Sequence, residues 1–107
     1  MSIIRTAAEC QSLDDIRQGI DSLDQRLVAL LAERLTYVQA ATRFKADVHA
    51  IPAPERVSAM LEARRQWAKE AGLPVDESEA FFRDLIHWFI NQQINHWYRL
   101  HPQETPA

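Results

Sequence analysis

From Leu13 onward, apolar residues recur at Leu13, Ile16, Ile20, Leu23, Leu27, Leu30 and Leu31, then at Val38 and Ala41, with polar residues between them. Steps of three and four are the period of an α-helix. Ser12 followed by Asp15 has the form of a capping box. The stretch SLDDIRQGIDSLDQRLVALLAERLTYVQAATRFKA therefore predicts one very long first helix. Gly19 is its weak position, at about 1 kcal/mol relative to alanine. ADVHAIPAP, with its prolines, predicts a loop, and Pro54 suits the first residue of a second helix that stops at Gly72. Asp76, with Glu79 three residues on, predicts the cap of a third helix, which ends before Pro102. The last few residues are expected to fray. The pattern is all-α, with three helices per chain, no internal repeat and no low-complexity tract.

The first helix is too long for the chain that carries it. Roughly 34 residues at 1.5 Å each span about 50 Å. A compact globule of this length has a radius of gyration near 13 Å, or about that. Either the helix breaks near Gly19, or a second chain covers the overhang. The second reading predicts an intertwined homodimer, a bundle of six helices.

The length of 107 residues suits one domain, read as 1–107 with an ordered core at about 12–100. Hydrophobic residues make up 47% and charged residues 25%, the balance of a soluble globule. The net charge of −3 supplies no basic field for nucleic acid, so a local cluster of cations stands out against it. Cys10 is the single cysteine, which excludes an internal disulfide and argues against a cysteine metal site. No segment has the apolar run of a bilayer span or of a secretory leader, so the expected location is the cytoplasm, with no membrane partner.

Cations stand on the inward stripes. Leu27, Leu31, Arg34, Val38, Ala41 and Lys45 form one stripe of the first helix, with Arg34 and Lys45 roughly 16 Å apart. Arg17 lies among Leu13, Ile16 and Ile20, about 25 Å from Arg34 along the helix. The second helix repeats the oddity with Arg56, Met60, Ala63 and Trp67, and the third sets Gln93 among Phe82, Ile86, Phe89 and Trp97. Singly, an arginine there snorkels to water and a glutamine joins helices. Together, cations that cost several kcal/mol each to bury unpaired call for an anion. Arginine offers a fork for carboxylates and lysine a compact charge. The pattern predicts a small, dianionic ligand, and one chain cannot bring both Arg17 and Arg34 to it.

The expected chemistry is spare. No nucleophile, base and acid can be placed together, and no phosphate-cradling loop appears. His87, His96 and His101 lack the spacing of a helical metal pair. With His49 they are read as structural or solvent-facing. No cofactor and no metal are expected. Such a pocket suits binding alone, or a reaction that needs only restraint of shape and stabilisation of shifting charge.

Arg17, LLAERL with Arg34, Lys45, PERV with Arg56, and NQQI with Gln93 occur in an order that resembles the all-helical chorismate mutases. YVQAATRFKA, AIPAPERV and IHWFINQQI are closer still to the isochorismate pyruvate lyases of salicylate and siderophore biosynthesis. The likeness runs from Leu13 to Trp97. It implies a domain-swapped homodimer that turns isochorismate into salicylate and pyruvate by a concerted pericyclic elimination, with weak chorismate mutase activity beside it. Lys45 and Gln93 would be catalytic, facing the ether oxygen. Arg17, donated to the partner's site, and Arg34 would grip the carboxylates, and Arg56 would complete the charged lining. Val38, Ala41, Met60, Phe89 and Ile90 would shape the walls, with the 46–53 loop closing over them. The mutases of this fold carry carboxylates at the second-helix entry, where this chain has Ala53 and Val57. The alternatives are chorismate mutase as the main activity, or a helical dimer that binds a small anion without turnover.

Overall fold

The computed structural model describes residues 6–104, and among them every regular element is helical. Helix α1 runs Leu13–Ala41, α2 Pro54–Ala71 and α3 Val75–Leu100. Short 3₁₀ turns flank them at Ala7–Glu9, Thr42–Phe44, Val48–Ala50 and Pro102–Glu104. The chain divides into two units, one up to Thr36 and one from Tyr37 on.

The first unit is a 3₁₀ turn followed by most of α1. Ser12 Oγ accepts the Asp15 amide at 3.1 Å, and the Asp15 carboxylate accepts the Gln11 amide at 3.0 Å. These bonds satisfy donors that a helix start leaves open, and Asp14 and Asp15 favour the positive end of its dipole. The helix passes through Gly19 unbroken. It carries no buried residue: Leu13, Ile16, Ile20, Leu23, Leu27 and Leu30 are all exposed in the single chain.

The second unit holds the core. Ile51, Leu61, Ala68, Ile86, Phe89 and Trp97 are buried, where α2 packs on α3 and α3 packs on the 3₁₀ turns at Thr42–Phe44 and Pro102–Glu104. Helix α2 begins at Pro54, whose missing N–H costs nothing there. Ala53 before it is left-handed at φ 37°, a conformation that costs a side-chain-bearing residue about 1–2 kcal/mol. Gly72 ends α2 at φ 79°, its N–H reaching the Ala68 and Lys69 carbonyls while the Leu73 N–H reaches Ala68. That left-handed glycine stop is what the sequence predicts.

Three expectations need correction. The first helix is not 34 residues long but 29, since the backbone tightens into a 3₁₀ turn after Ala41. Lys45 therefore sits off the helical stripe, in extended backbone at φ −97°, ψ 132°. The third helix starts after Pro74 with no side-chain cap, and Asp76 lies inside its first turn. The carboxylates of Asp76 and Glu79 serve instead as acceptors for Arg65 of α2, at 2.9 and 2.8 Å, and Arg83 joins Glu79 at 3.3 Å. On α2 the buried stripe is Leu61 and Ala68, one position round from Met60 and Trp67. Met60 is half-buried, and Trp67 stays exposed beneath the Arg64 guanidinium, 4.7 Å from its ring.

Candidate functional site

The second unit carries most of the residues singled out by the sequence. Val38 and Ala41 lie half-buried on the last turns of α1, Met60 half-buried on α2, and Phe89 buried beside half-buried Ile90 on α3. Phe89 is held edge-on by Trp88, with ring centroids 5.0 Å apart. Val38 and Ala41 are small, Phe89 and Ile90 are large, and none of the four carries a titratable group.

Gln93 is only 6% exposed, and its Nε2 donates to the Val38 carbonyl at 2.9 Å. A buried amide without partners would cost several kcal/mol, roughly, and this bond removes part of that cost. It also ties α3 to the end of α1, because Val38 lies in the last turn, where carbonyls run short of helical donors. The amide keeps a second N–H and its oxygen for other partners.

Lys45 is half-buried, and its Nζ donates to the Ala50 carbonyl at 3.4 Å, folding the loop back on itself. Asp47 caps the next 3₁₀ turn by accepting the His49 amide at 2.8 Å, and Ile51 anchors the far end in the core. The ammonium is thus carried by a short, tethered loop rather than by a helix. Its hydrogen bond to Ala50 is long and to a neutral oxygen, and among the described residues no carboxylate pairs with it.

Arg56 is exposed on the first turn of α2. Two turns on stands a cation that the sequence reading passed over. Arg64 is half-buried, donates to the Met60 carbonyl at 3.3 Å and stacks over Trp67. Burial, and then repulsion from Arg56, hold its guanidinium below the usual arginine range. The signal was available: Arg64 follows Arg56 by eight positions, about two turns of one helix.

In the first unit, Arg34 is half-buried on α1, while Arg17 is exposed, its side chain 65% accessible and 3.9 Å from Asp14. That exposed, screened pair is worth little. Seventeen residues of helix separate the two arginines, about 25 Å of rise, so α1 by itself does not bring them together. Among the described residues no group of three His, Cys, Asp or Glu side chains is placed to hold a metal ion. No described helix is long and apolar enough to cross a membrane.

A three-helix chain with a buried amide on α3 and half-buried cations at Arg34, Lys45 and Arg64 belongs to a recognisable class of helical protein. The chain is a member of the chorismate mutase type II family, which it matches over residues 16–94. It is 49% identical over 94 residues to the isochorismate pyruvate lyase of Pseudomonas aeruginosa, covering 88% of this chain and 93% of that one. Two T-proteins are also similar, from Haemophilus influenzae at 44% over 78 residues and from Enterobacter agglomerans at 38% over 76. They match 71% and 69% of this chain, which spans only 20% of either.

Proposed function

We propose that this protein is an isochorismate pyruvate lyase that forms salicylate and pyruvate, with weak chorismate mutase activity. The observation that carries the reading is the 49% identity to a lyase of nearly the same length. The T-proteins are less similar, at 44% and 38%, and this chain spans only 20% of either. In the reaction, the ether C–O bond breaks as a ring hydrogen passes to the enolpyruvyl methylene carbon, and the ring becomes aromatic. Nothing is oxidised by an outside agent and no cofactor enters. The demands on the protein are a fixed conformer and positive charge where the ether oxygen gains electrons.

Lys45 and Gln93 take that second role. Arg34 and the partner's copy of Arg17 hold the carboxylates, Arg56 completes the lining, and Val38, Ala41, Met60, Phe89 and Ile90 restrain the substrate. The active form is an intertwined homodimer in the cytoplasm, each chain one domain with a core at about 12–100. Supporting the dimer, seven large aliphatic side chains of α1, Val28 among them, stand exposed in the single chain, and each left in water forgoes roughly 1 kcal/mol. Supporting the lyase over the mutase, Ala53 and Val57 stand at the entry of α2, where the resemblance puts carboxylates in mutases.

Purified protein given isochorismate or chorismate separately tests this. The expected result is rapid salicylate fluorescence from isochorismate and slow loss of chorismate absorbance. The family match itself keeps chorismate mutase as the second reading, and the reverse pattern would establish it. Turnover of neither would reduce the protein to a binder of small anions.

A further inference from the structure

Helix α2 carries Arg56, Met60 and Arg64 at successive steps of four residues, so the three lie along one side of it. The proposed site uses the first two. Arg64 turns back along that line, its Nη1 donating to the Met60 carbonyl at 3.3 Å. Long side chains on a helix lean this way, towards its N-terminus. Arg56 stands one turn before Met60, about 6 Å of rise. Trp67 lies against the guanidinium, 4.7 Å from its ring, and the arginine is half-buried.

This guanidinium has no anion. Its hydrogen bond goes to a neutral carbonyl and its stacking to a neutral ring. The next residue, Arg65, shows the ordinary arrangement, forked onto Asp76 and Glu79 at 2.9 and 2.8 Å. Among the described residues, no carboxylate stands within ion-pair distance of Arg64 or Arg56. Burial, and then the charge of Arg56, lower the Arg64 pKa, so the charge that Arg64 feels is another cation's. An arginine stays charged all the same. Like charges brought together and partly buried are unfavourable until an anion joins them. We infer that Arg64 is a further substrate-binding residue, which closes with Arg56 on one carboxylate of the dianion. A guanidinium has five N–H donors, so the bond to Met60 leaves donors for a carboxylate. A carboxylate arriving there gains two partners and offsets a repulsion. Contact with a carboxylate, away from the breaking bond, acts on binding rather than on the chemical step. The inference rests on the lyase reading of the Arg56–Met60 face and adds a residue to it.

Arg64→Gln keeps a long polar side chain and removes the charge. Its KM for isochorismate should rise about tenfold, with kcat changed less than about twofold. Arg64→Lys restores the charge without the fork and should recover part of the loss. Salicylate at a fixed excess, used as a carboxylate probe, should raise the Tm of the parent more than that of Arg64→Gln. In an Arg56→Gln background, Arg64→Gln should raise KM much less than tenfold, since both residues act on one carboxylate. Equal KM and equal salicylate shifts in Arg64→Gln and the parent would overturn the inference and leave an arginine held by Trp67 alone. Conversion of Arg64→Gln to monomers, read by light scattering, would also overturn it, because the missing carboxylate would then be the partner chain's. Parent protein that forms no salicylate from isochorismate would remove the lyase reading instead, while the salicylate shift still tests Arg64.

Discussion

The stretch of α1 up to Thr36 and the unit from Tyr37 on treat their apolar residues in opposite ways. In the second unit they are spent inward: Ile86, Phe89 and Trp97 are buried along α3, Leu61 and Ala68 along α2. Gly72, Pro54 and the Arg65 fork to Asp76 and Glu79 set the two helices beside each other. In the first unit an equally regular stripe, Leu13 to Leu30, covers nothing of its own, and Leu23 is 58% exposed. A surface helix is amphipathic because something covers its apolar face. The difference teaches that the second unit has the means to hold its shape alone, whereas the first is written for another surface. On the proposed function that surface is a second copy of the chain.

The sharpest way to break this contrast is to charge the uncovered stripe. Leu23→Glu with Leu27→Glu should convert the protein to monomers and lower lyase activity about a hundredfold or more, because burying carboxylates in an apolar seam is strongly unfavourable. Light scattering and salicylate fluorescence on the same sample give both readouts. Exposed leucines on a true surface would tolerate the change, and a dimer with full activity would show that α1 is partnered elsewhere. Glutamates at Trp88 or Phe81 of α3, also exposed, make the fitting comparison.

A smaller effect separates the units by function. Lys45→Ala should lower kcat at least about tenfold without unfolding the protein, since its ammonium makes a single 3.4 Å bond to the Ala50 carbonyl. Arg17→Ala should be inactive for a different reason, its defect lying in the partner's pocket. Mixing the two inactive dimers under subunit exchange should restore about one quarter of the parent activity, because half the dimers are mixed and each has one intact site. Proven exchange without recovery would return Arg17 to its own chain and leave the exposed first unit without a catalytic role.

The sequence made some of this legible because certain residues have one physical use. Gly72 could be read as a helix stop because only a left-handed residue makes that turn, and it stands at φ 79°. The α3 stripe of Ile86, Phe89, Gln93 and Trp97 was legible because its period is unbroken over the whole helix. Other features hinged on choices among carboxylates and carbonyls that periodicity does not rank. Asp76 has the chemistry of a cap and serves Arg65 instead. The end of α1 fell at Ala41 because the turn tightened there, and no proline or glycine in TRFK announces it. The α2 face was misjudged by one position, since Met60–Trp67 and Leu61–Ala68 share the same spacing and only packing against α3 selects between them. Among site residues, Gln93 was found as an amide on an apolar face. Its bond to the Val38 carbonyl depends on tertiary placement across 55 residues and was not readable.

The smallest effect concerns the end of the first unit, where no core exists and local bonds alone give shape. The Glu9 carboxylate accepts from the Thr6 hydroxyl at 2.6 Å and from the Thr6 amide at 3.1 Å, closing the Ala7–Glu9 turn. The hydroxyl first, and the amide second, hold the Glu9 carboxyl below the usual carboxylate range. A pKa lowered by folding means that the turn's stabilisation is complete at neutral pH and disappears as pH falls through the lowered value. The Thr6 amide resonance, followed by NMR against pH, should therefore titrate with a midpoint below that of an ordinary glutamate. In Thr6→Ala the hydroxyl is gone and the midpoint should move back up, while kcat and the dimer stay as they were. An unshifted midpoint in the parent would mean that even this local bond needs a neighbour to hold it. The first unit would then depend wholly on what covers it.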